Sequence, residues 1–146
     1  MNKHHQHHQQ LYLEFQANHE KLQHLHAQHE TLENHLQELQ VVTASLEELQ
    51  KLTNQQEVLV PISNSIFSRA TMNPAQRVIV GVGSNILVEK SPEEAARNIH
   101  EQISELSSIL KRLEQEMLST TSHLQSLQEE IAKESDNSGQ NHQEEI

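Results

Sequence analysis

The side chains with the most chemistry to offer are histidine and carboxylate: 12 His and 21 acids in 146 residues, with Asp136 the sole Asp. Four His crowd the opening MNKHHQHHQQ. His4/His8 and His4/His7 have the spacing of two metal ligands on one helical face. No thiolate can complete a site, because the chain has no Cys, and no carboxylate lies within that segment. The segment reads as a solvated polar tail. The Glu residues recur at helical spacing on faces turned to water, which does not build an acid–base pair. Gly81-Val82-Gly83 follows a strand-like run and could open a dinucleotide loop. The third Gly of that loop is missing, and another strand-like run follows instead of a helix. No Gly-rich loop ending in Lys-Ser/Thr is present. The expectation is a protein without catalytic residues, metal site or cofactor, and not an enzyme.

The net charge of −11 disfavours nucleic acid, whose phosphates require clustered Lys and Arg. Apolar runs are too short to span a membrane. With no Cys and no apolar leader at the start, the expected location is the cytoplasm. Apolar residues make up 34% and aromatics only 2%, with three Gly and three Pro. Such a chain is poor in core-forming and turn-forming residues and rich in Glu, Gln and Leu, which suits long helices better than a compact enzyme or a β-sandwich.

Residues 11–53 carry a stripe, apolar but for Asn18 and His29, at alternating steps of four and three: Leu11, Phe15, Asn18, Leu22, Leu25, His29, Leu32, Leu36, Leu39. That is the coiled-coil period. A three-residue step to Val42, before Leu46 and Leu49, predicts one local phase slip. His26 and His29 are three apart, but His29 sits on the stripe, where a polar residue that sets register is the better reading. Residues 91–134 repeat the pattern: Ala96, Ile99, Ile103, Leu106, Leu110, Leu113, Met117, Thr120, Leu124, Leu127, Ile131. Ser91-Pro92-Glu93-Glu94 is a capping box with Pro at the first helical position.

Between the helices, β-branched residues take over. The runs Val58–Ile62, Ile66–Thr71, Arg77–Val82 and Ile86–Lys90 are separated in pairs by Ser63-Asn64-Ser65 and Gly83-Ser84-Asn85. Met72-Asn73-Pro74-Ala75 makes a longer turn between the pairs. These features predict two consecutive β-hairpins across residues 57–90. The expected organisation is a disordered His/Gln-rich tail at 1–10, one domain at 11–134 (helix 11–53, hairpins 57–90, helix 91–134) and a disordered acidic tail at 135–146.

Two helices of about 43 residues, each ~65 Å long, predict an antiparallel coiled coil with the hairpins at one end and both termini at the other. The expected pairing sets Leu22 opposite Leu124, Leu36 opposite Leu110, Leu46 opposite Ile99, Phe15 opposite Ile131 and His29 opposite Met117. Isolated hairpins expose edges and apolar faces, so they call for partners. Their segment is near neutral, with Arg69, Arg77 and Lys90 against Glu57 and Glu89, while the helices hold the negative charge. The expected assembly residues are Val58, Val60, Ile66, Phe67, Val78, Val80, Val82, Ile86 and Val88.

The run Val58-Leu59-Val60-Pro61-Ile62, then Val78-Ile79-Val80-Gly81-Val82-Gly83 and Val88-Glu89-Lys90-Ser91, set between two heptad helices, resembles the alpha-type subunit of archaeal-like prefoldin. The likeness covers roughly residues 10–132. Its one departure is Ser63-Asn64-Ser65 in place of a Gly-rich first turn. Asn64 tolerates the left-handed conformation that such a turn needs.

The resemblance implies an α+β chain: a long antiparallel two-helix coiled coil whose two central hairpins form part of an oligomeric β-barrel platform. It implies a hexamer of two alpha-type and four beta-type prefoldin subunits. That hexamer captures non-native client proteins without ATP and passes them to a group II chaperonin, with no nucleic-acid or membrane partner. Leu11, Tyr12 and Phe15 at the start of the first helix, and Leu124, Leu127 and Ile131 near the end of the second, are the candidate client contacts. Seam residues at a fraying end become intermittently accessible. The alternative is a structural coiled-coil scaffold without chaperone activity, which leaves the two inserted hairpins without a purpose.

Overall fold

The computed structural model describes residues 2–52, 55–72 and 77–140, with side chains over 6–52, 55–72 and 77–135. The element order is α1 (Asn2–Gln50), β1 (Gln56–Ser63), β2 (Ile66–Met72), β3 (Val78–Gly81), β4 (Leu87–Lys90) and α2 (Pro92–Gln140). The predicted break at Thr53-Asn54 and most of the turn Met72-Asn73-Pro74-Ala75 lie outside the described residues.

Both helices are longer than their heptad stripes. α1 starts at Asn2, so residues 2–10, expected as a disordered tail, are helical. α2 runs through Gln140, past the predicted end at 134. The cause is propagation. Once the stripe has nucleated a helix, each further residue adds one hydrogen bond, and no Pro or Gly stops α1 before Asn2. α2 starts where its capping box sets it. The Glu94 amide donates to Ser91 Oγ at 3.1 Å, and the Ser91 amide donates to a Glu94 carboxylate oxygen at 3.3 Å. Ser91→Ala removes the first of these bonds. Its expected cost is about 1 kcal/mol, read as a lowered midpoint in thermal unfolding followed by circular dichroism.

The chain forms two compact units. The first comprises residues 1–33 and 108–146. Its core is a seam in which Leu11, Leu25, Leu110, Leu124 and Leu127 are buried, with Thr120 as a buried polar member. Phe15, Leu22, Leu32, Leu113, Met117 and Ile131 are half-buried beside them. An ion pair crosses between the helices at Lys21–Glu116 (2.8 Å), and His–Glu contacts cross at Glu14–His123 (3.0 Å), His29–Glu114 (3.3 Å) and His7–Glu134 (3.4 Å). The helices are therefore antiparallel, as expected, but the register differs. Each α2 partner falls nearer the start of α2 than the sequence pairing placed it. Lys21 reaches Glu116, whereas its neighbour Leu22 was set opposite Leu124. His29 reaches Glu114, with Glu33 at 3.7 Å on its own helix, rather than facing Met117.

The second unit, residues 34–107, holds the remainder of both helices and the two hairpins. Leu39, Ala95 and Leu106 are buried in it. The predicted phase slip at Val42 is corrected here. Val42 is exposed, and Thr43 occupies the seam, its hydroxyl donating to the Leu39 carbonyl at 3.0 Å. The short Thr side chain fits the seam and satisfies its own hydroxyl, so the four-residue step from Leu39 is kept.

Each hairpin is its own two-stranded antiparallel sheet. β1 pairs with β2 through Val58↔Ala70, Leu59↔Arg69, Val60↔Ser68 and Pro61↔Phe67, with a bulge between Pro61 and Ser63. β3 pairs with β4 through Val78↔Lys90, Ile79↔Glu89, Val80↔Val88 and Gly81↔Leu87. In the first turn it is Ser65, at φ 70°, that takes the left-handed conformation, not Asn64. In the second turn Gly83, Ser84 and Asn85 all have positive φ, and the Val82 amide donates to Ile86 O at 3.0 Å.

Candidate functional site

Most of the exposed large apolar side chains among the described residues lie on the hairpins. One face of hairpin β1–β2 carries Val58 and Ala70, half-buried and continuous with Met72. These residues approach the end of α1, where Val58 and Met72 line a shallow groove with Leu49 and Leu52, rimmed by Glu48 and Lys51. The opposite face carries Leu59 at 65% exposure and Phe67 at 59%. In hairpin β3–β4, Val78 and Val80 are half-buried, while Ile79 and Leu87 on the other face are open at 68% and 69%.

Of the expected assembly residues, Val60, Ile66, Phe67, Val82, Ile86 and Val88 are exposed, and Val58, Val78 and Val80 are half-covered by their own chain. Sequence reading passed over Leu59, Ile62 and Ile79, all of them exposed. The signal was present. Strand alternation puts Leu59 and Ile79 on the face opposite Val58 and Val78, and an apolar residue there has no intrachain reason to exist. Both faces of each hairpin are thus apolar, and among the described residues no third strand joins either two-stranded sheet. That combination is an association surface rather than a ligand pocket.

The candidate client residues separate into two kinds. Leu11, Leu124 and Leu127 are buried in the seam, and Phe15 and Ile131 are half-buried. Tyr12 is open, and so is its neighbour Leu13, which the heptad reading skipped because it is off the stripe. Phe15 also stacks on His19, with ring centroids 6.4 Å apart. Among the described residues, no group of three or more His, Cys, Asp or Glu is placed to hold a metal ion. His4, and with it the His4/His8 and His4/His7 pairs, lies outside the described side chains. No described helix is long and apolar enough to cross a membrane.

Two long heptad helices bracketing two apolar, two-stranded hairpins define a coiled-coil assembly subunit. The comparisons with known proteins make that class specific. The family model for prefoldin subunits matches residues 18–137, and the chain belongs to the prefoldin family. It is similar to the prefoldin alpha subunit of Thermofilum pendens, 40% identical over 55 residues that make up 38% of this chain and 43% of the relative. It is 37% identical over 60 residues to the alpha subunit of Methanopyrus kandleri, covering 41% of this chain and 38% of that one. The matched segments thus span less than half of either relative. A chain in the cryo-EM structure of filamentous PFD from Methanocaldococcus jannaschii superposes with a TM-score of 0.67 at 27% identity, covering 77% of this chain and 93% of that one. The relatives place the chain on the alpha side of the family, and the two helices with two small hairpins are the fold of the structural neighbour.

Proposed function

We propose that this chain is the alpha-type subunit of a hetero-hexameric prefoldin, two alpha-type with four beta-type subunits, whose hairpins join into a shared β-barrel platform. The particle captures non-native polypeptides without ATP and passes them to a group II chaperonin in the cytoplasm. It has no enzymatic step, cofactor, nucleic-acid partner or membrane partner.

The observation that carries this reading is the pair of hairpins with apolar residues on both faces and, among the described residues, no third strand on either. A two-stranded hairpin is marginal in water by itself, so this one needs covering from outside the chain. A coiled-coil scaffold has no use for such a segment. The test is co-expression with a beta-type subunit. The reading expects a discrete particle with the mass of two alpha and four beta chains. It also expects suppressed light scattering when a chemically denatured client is diluted into it without nucleotide. A chain that forms its only discrete assembly by itself and leaves scattering unchanged is a scaffold.

A further inference from the structure

The polar contacts between the two helices of the first unit have a composition that a heptad pattern does not require. Of the four cross-helix contacts named above, only Lys21–Glu116 joins two groups that are both charged at neutral pH. The other three join a histidine to a glutamate through the same ring atom. His7 Nε2 meets Glu134 Oε1, His123 Nε2 meets Glu14 Oε1, and His29 Nε2 meets Glu114 Oε1. The histidines come from both helices, two from α1 and one from α2. His29 stands on the stripe itself, and its side chain is only 22% exposed. Each histidine is met by carboxylates: Glu134 at His7, Glu14 at His123, and at His29 both Glu114 across the seam and Glu33 on its own helix, 3.7 Å from Nδ1. The cations nearest in sequence to the α2 glutamates, Lys111, Arg112 and Lys133, are exposed, and Lys21 is held by Glu116.

We infer that mild acid closes the ends of this helix pair: between pH 7.5 and pH 5.5, protons on His7, His29 and His123 turn three His–Glu contacts into ion pairs. An imidazole ordinarily takes up its proton near pH 6.5, whereas a carboxylate stays ionised down to about pH 5. In that window the four cross-helix contacts pass from one ion pair to four. A carboxylate only accepts hydrogen bonds, so the ring nitrogen facing it must carry a proton. Neutral His29 has one N–H, to turn toward Glu114 or toward Glu33. Protonated His29 presents one to each. The sign follows: these contacts hold the helices most firmly below about pH 6.5 and weaken as the pH rises through it. Each partly exposed pair is weak. They act together, however, on helix ends whose opening itself costs little. Leu11, Leu124 and Leu127, buried along the stretch that these contacts span, should then leave the seam less often at pH 5.5. The closure belongs to the helix pair, whatever the hairpins assemble with. Only its consequence, a weaker display of seam residues to clients, rests on the function proposed above.

Hydrogen exchange read by mass spectrometry on the full-length chain, in its purified assembly, tests the closure. Protection factors, which correct for the intrinsic pH dependence of exchange, should rise about threefold to tenfold over residues 8–15 and 123–132 between pH 7.5 and pH 5.5. His7→Gln with His123→Gln leaves His29 and the stripe in place and should remove most of that rise. Glu14→Gln with Glu134→Gln keeps every histidine and should remove it too. None of these four residues is buried, so the helices should be unchanged at pH 7.5. His24→Gln with His26→Gln takes away two exposed histidines outside the cross-helix contacts named above and should keep the rise. That pair lowers the charge gained in acid as much as the first does, so it separates paired contacts from net charge. Protection that stays flat or falls in the parent overturns the closure. A rise that survives either contact-removing pair, or one that vanishes with His24 and His26, also overturns it.

Discussion

Protein carrying Val80→Asp should lose its assembly while keeping its helices. Val80 is half-buried within its own chain, paired with Val88 across β3–β4. A carboxylate there retains access to water in the separated subunit, so the cost to the lone chain is small. Once neighbouring subunits cover the sheet, that access is gone, and burying an unpartnered carboxylate costs more than burying a neutral amide or hydroxyl, itself about 2–7 kcal/mol. This is enough to shift a dissociation constant by orders of magnitude. Ile79→Asp, on the opposite face, should act in the same direction, because both faces are apolar and both need covering. Val41→Asp provides the comparison. Val41 is exposed on α1, away from the stripe, and its replacement should leave the particle whole. Size-exclusion chromatography with light scattering reads the mass, and far-ultraviolet circular dichroism reads the helices. A Val80→Asp particle of unchanged mass places this sheet outside the subunit contacts.

The helices and the hairpins were legible in the sequence for different physical reasons. In α2 the alternation of three and four runs without a gap. The residues it marks are those that end up covered, with Leu106, Leu110, Leu124 and Leu127 buried. The strands were legible through their turns, since Ser63-Asn64-Ser65 and Gly83-Ser84-Asn85 interrupt β-branched runs at hairpin length. Register was not legible. In a two-helix seam, sliding one stripe along the other by half a heptad again sets apolar residues against apolar ones, so that match carries little information. The flanking polar contacts decide it, through Lys21–Glu116 and Glu14–His123. The local slip near Val42 was misplaced because the stripe was continued on the apolar Val42 and passed over Thr43. Its hydroxyl is satisfied by its own helix, which lets it enter the seam. The helical residues 2–10 were missed because periodicity detects burial, and residues 6–10 are all exposed and leave no period to detect.

Client capture should respond most strongly to the free ends of the helices. A particle lacking residues 1–14 and 128–146 loses Leu11, Tyr12, Leu13 and Ile131 but keeps the heptad residues from Phe15 to Leu127 and all of residues 56–90. It should assemble with unchanged stoichiometry and protect a denatured client poorly. The deletion removes the contacts Glu14–His123 and His7–Glu134, both at partly exposed sites and each contributing about 0–1 kcal/mol at most. Loss of assembly is therefore not expected from them. It also takes Leu11 out of the seam, which a second variant avoids: Tyr12→Ser with Leu13→Ser keeps the helix length and leaves every stripe residue in place. These two side chains are 58% and 60% exposed, so they offer apolar area to a client without any opening of the coil. Leu11, Leu124 and Leu127 offer theirs only when the end frays. If the open residues carry the contact, the double Ser variant should approach the deletion in its loss of protection. If the frayed seam carries it, the double variant should protect like the parent while the deletion does not. Several weak sites in one particle add through effective concentration, so altering only the alpha-type chains should reduce protection rather than abolish it. Light scattering of the diluted client, compared at equal particle mass, separates these outcomes. Equal protection by the parent, the deletion and the double variant removes the helix ends of this subunit from the client site.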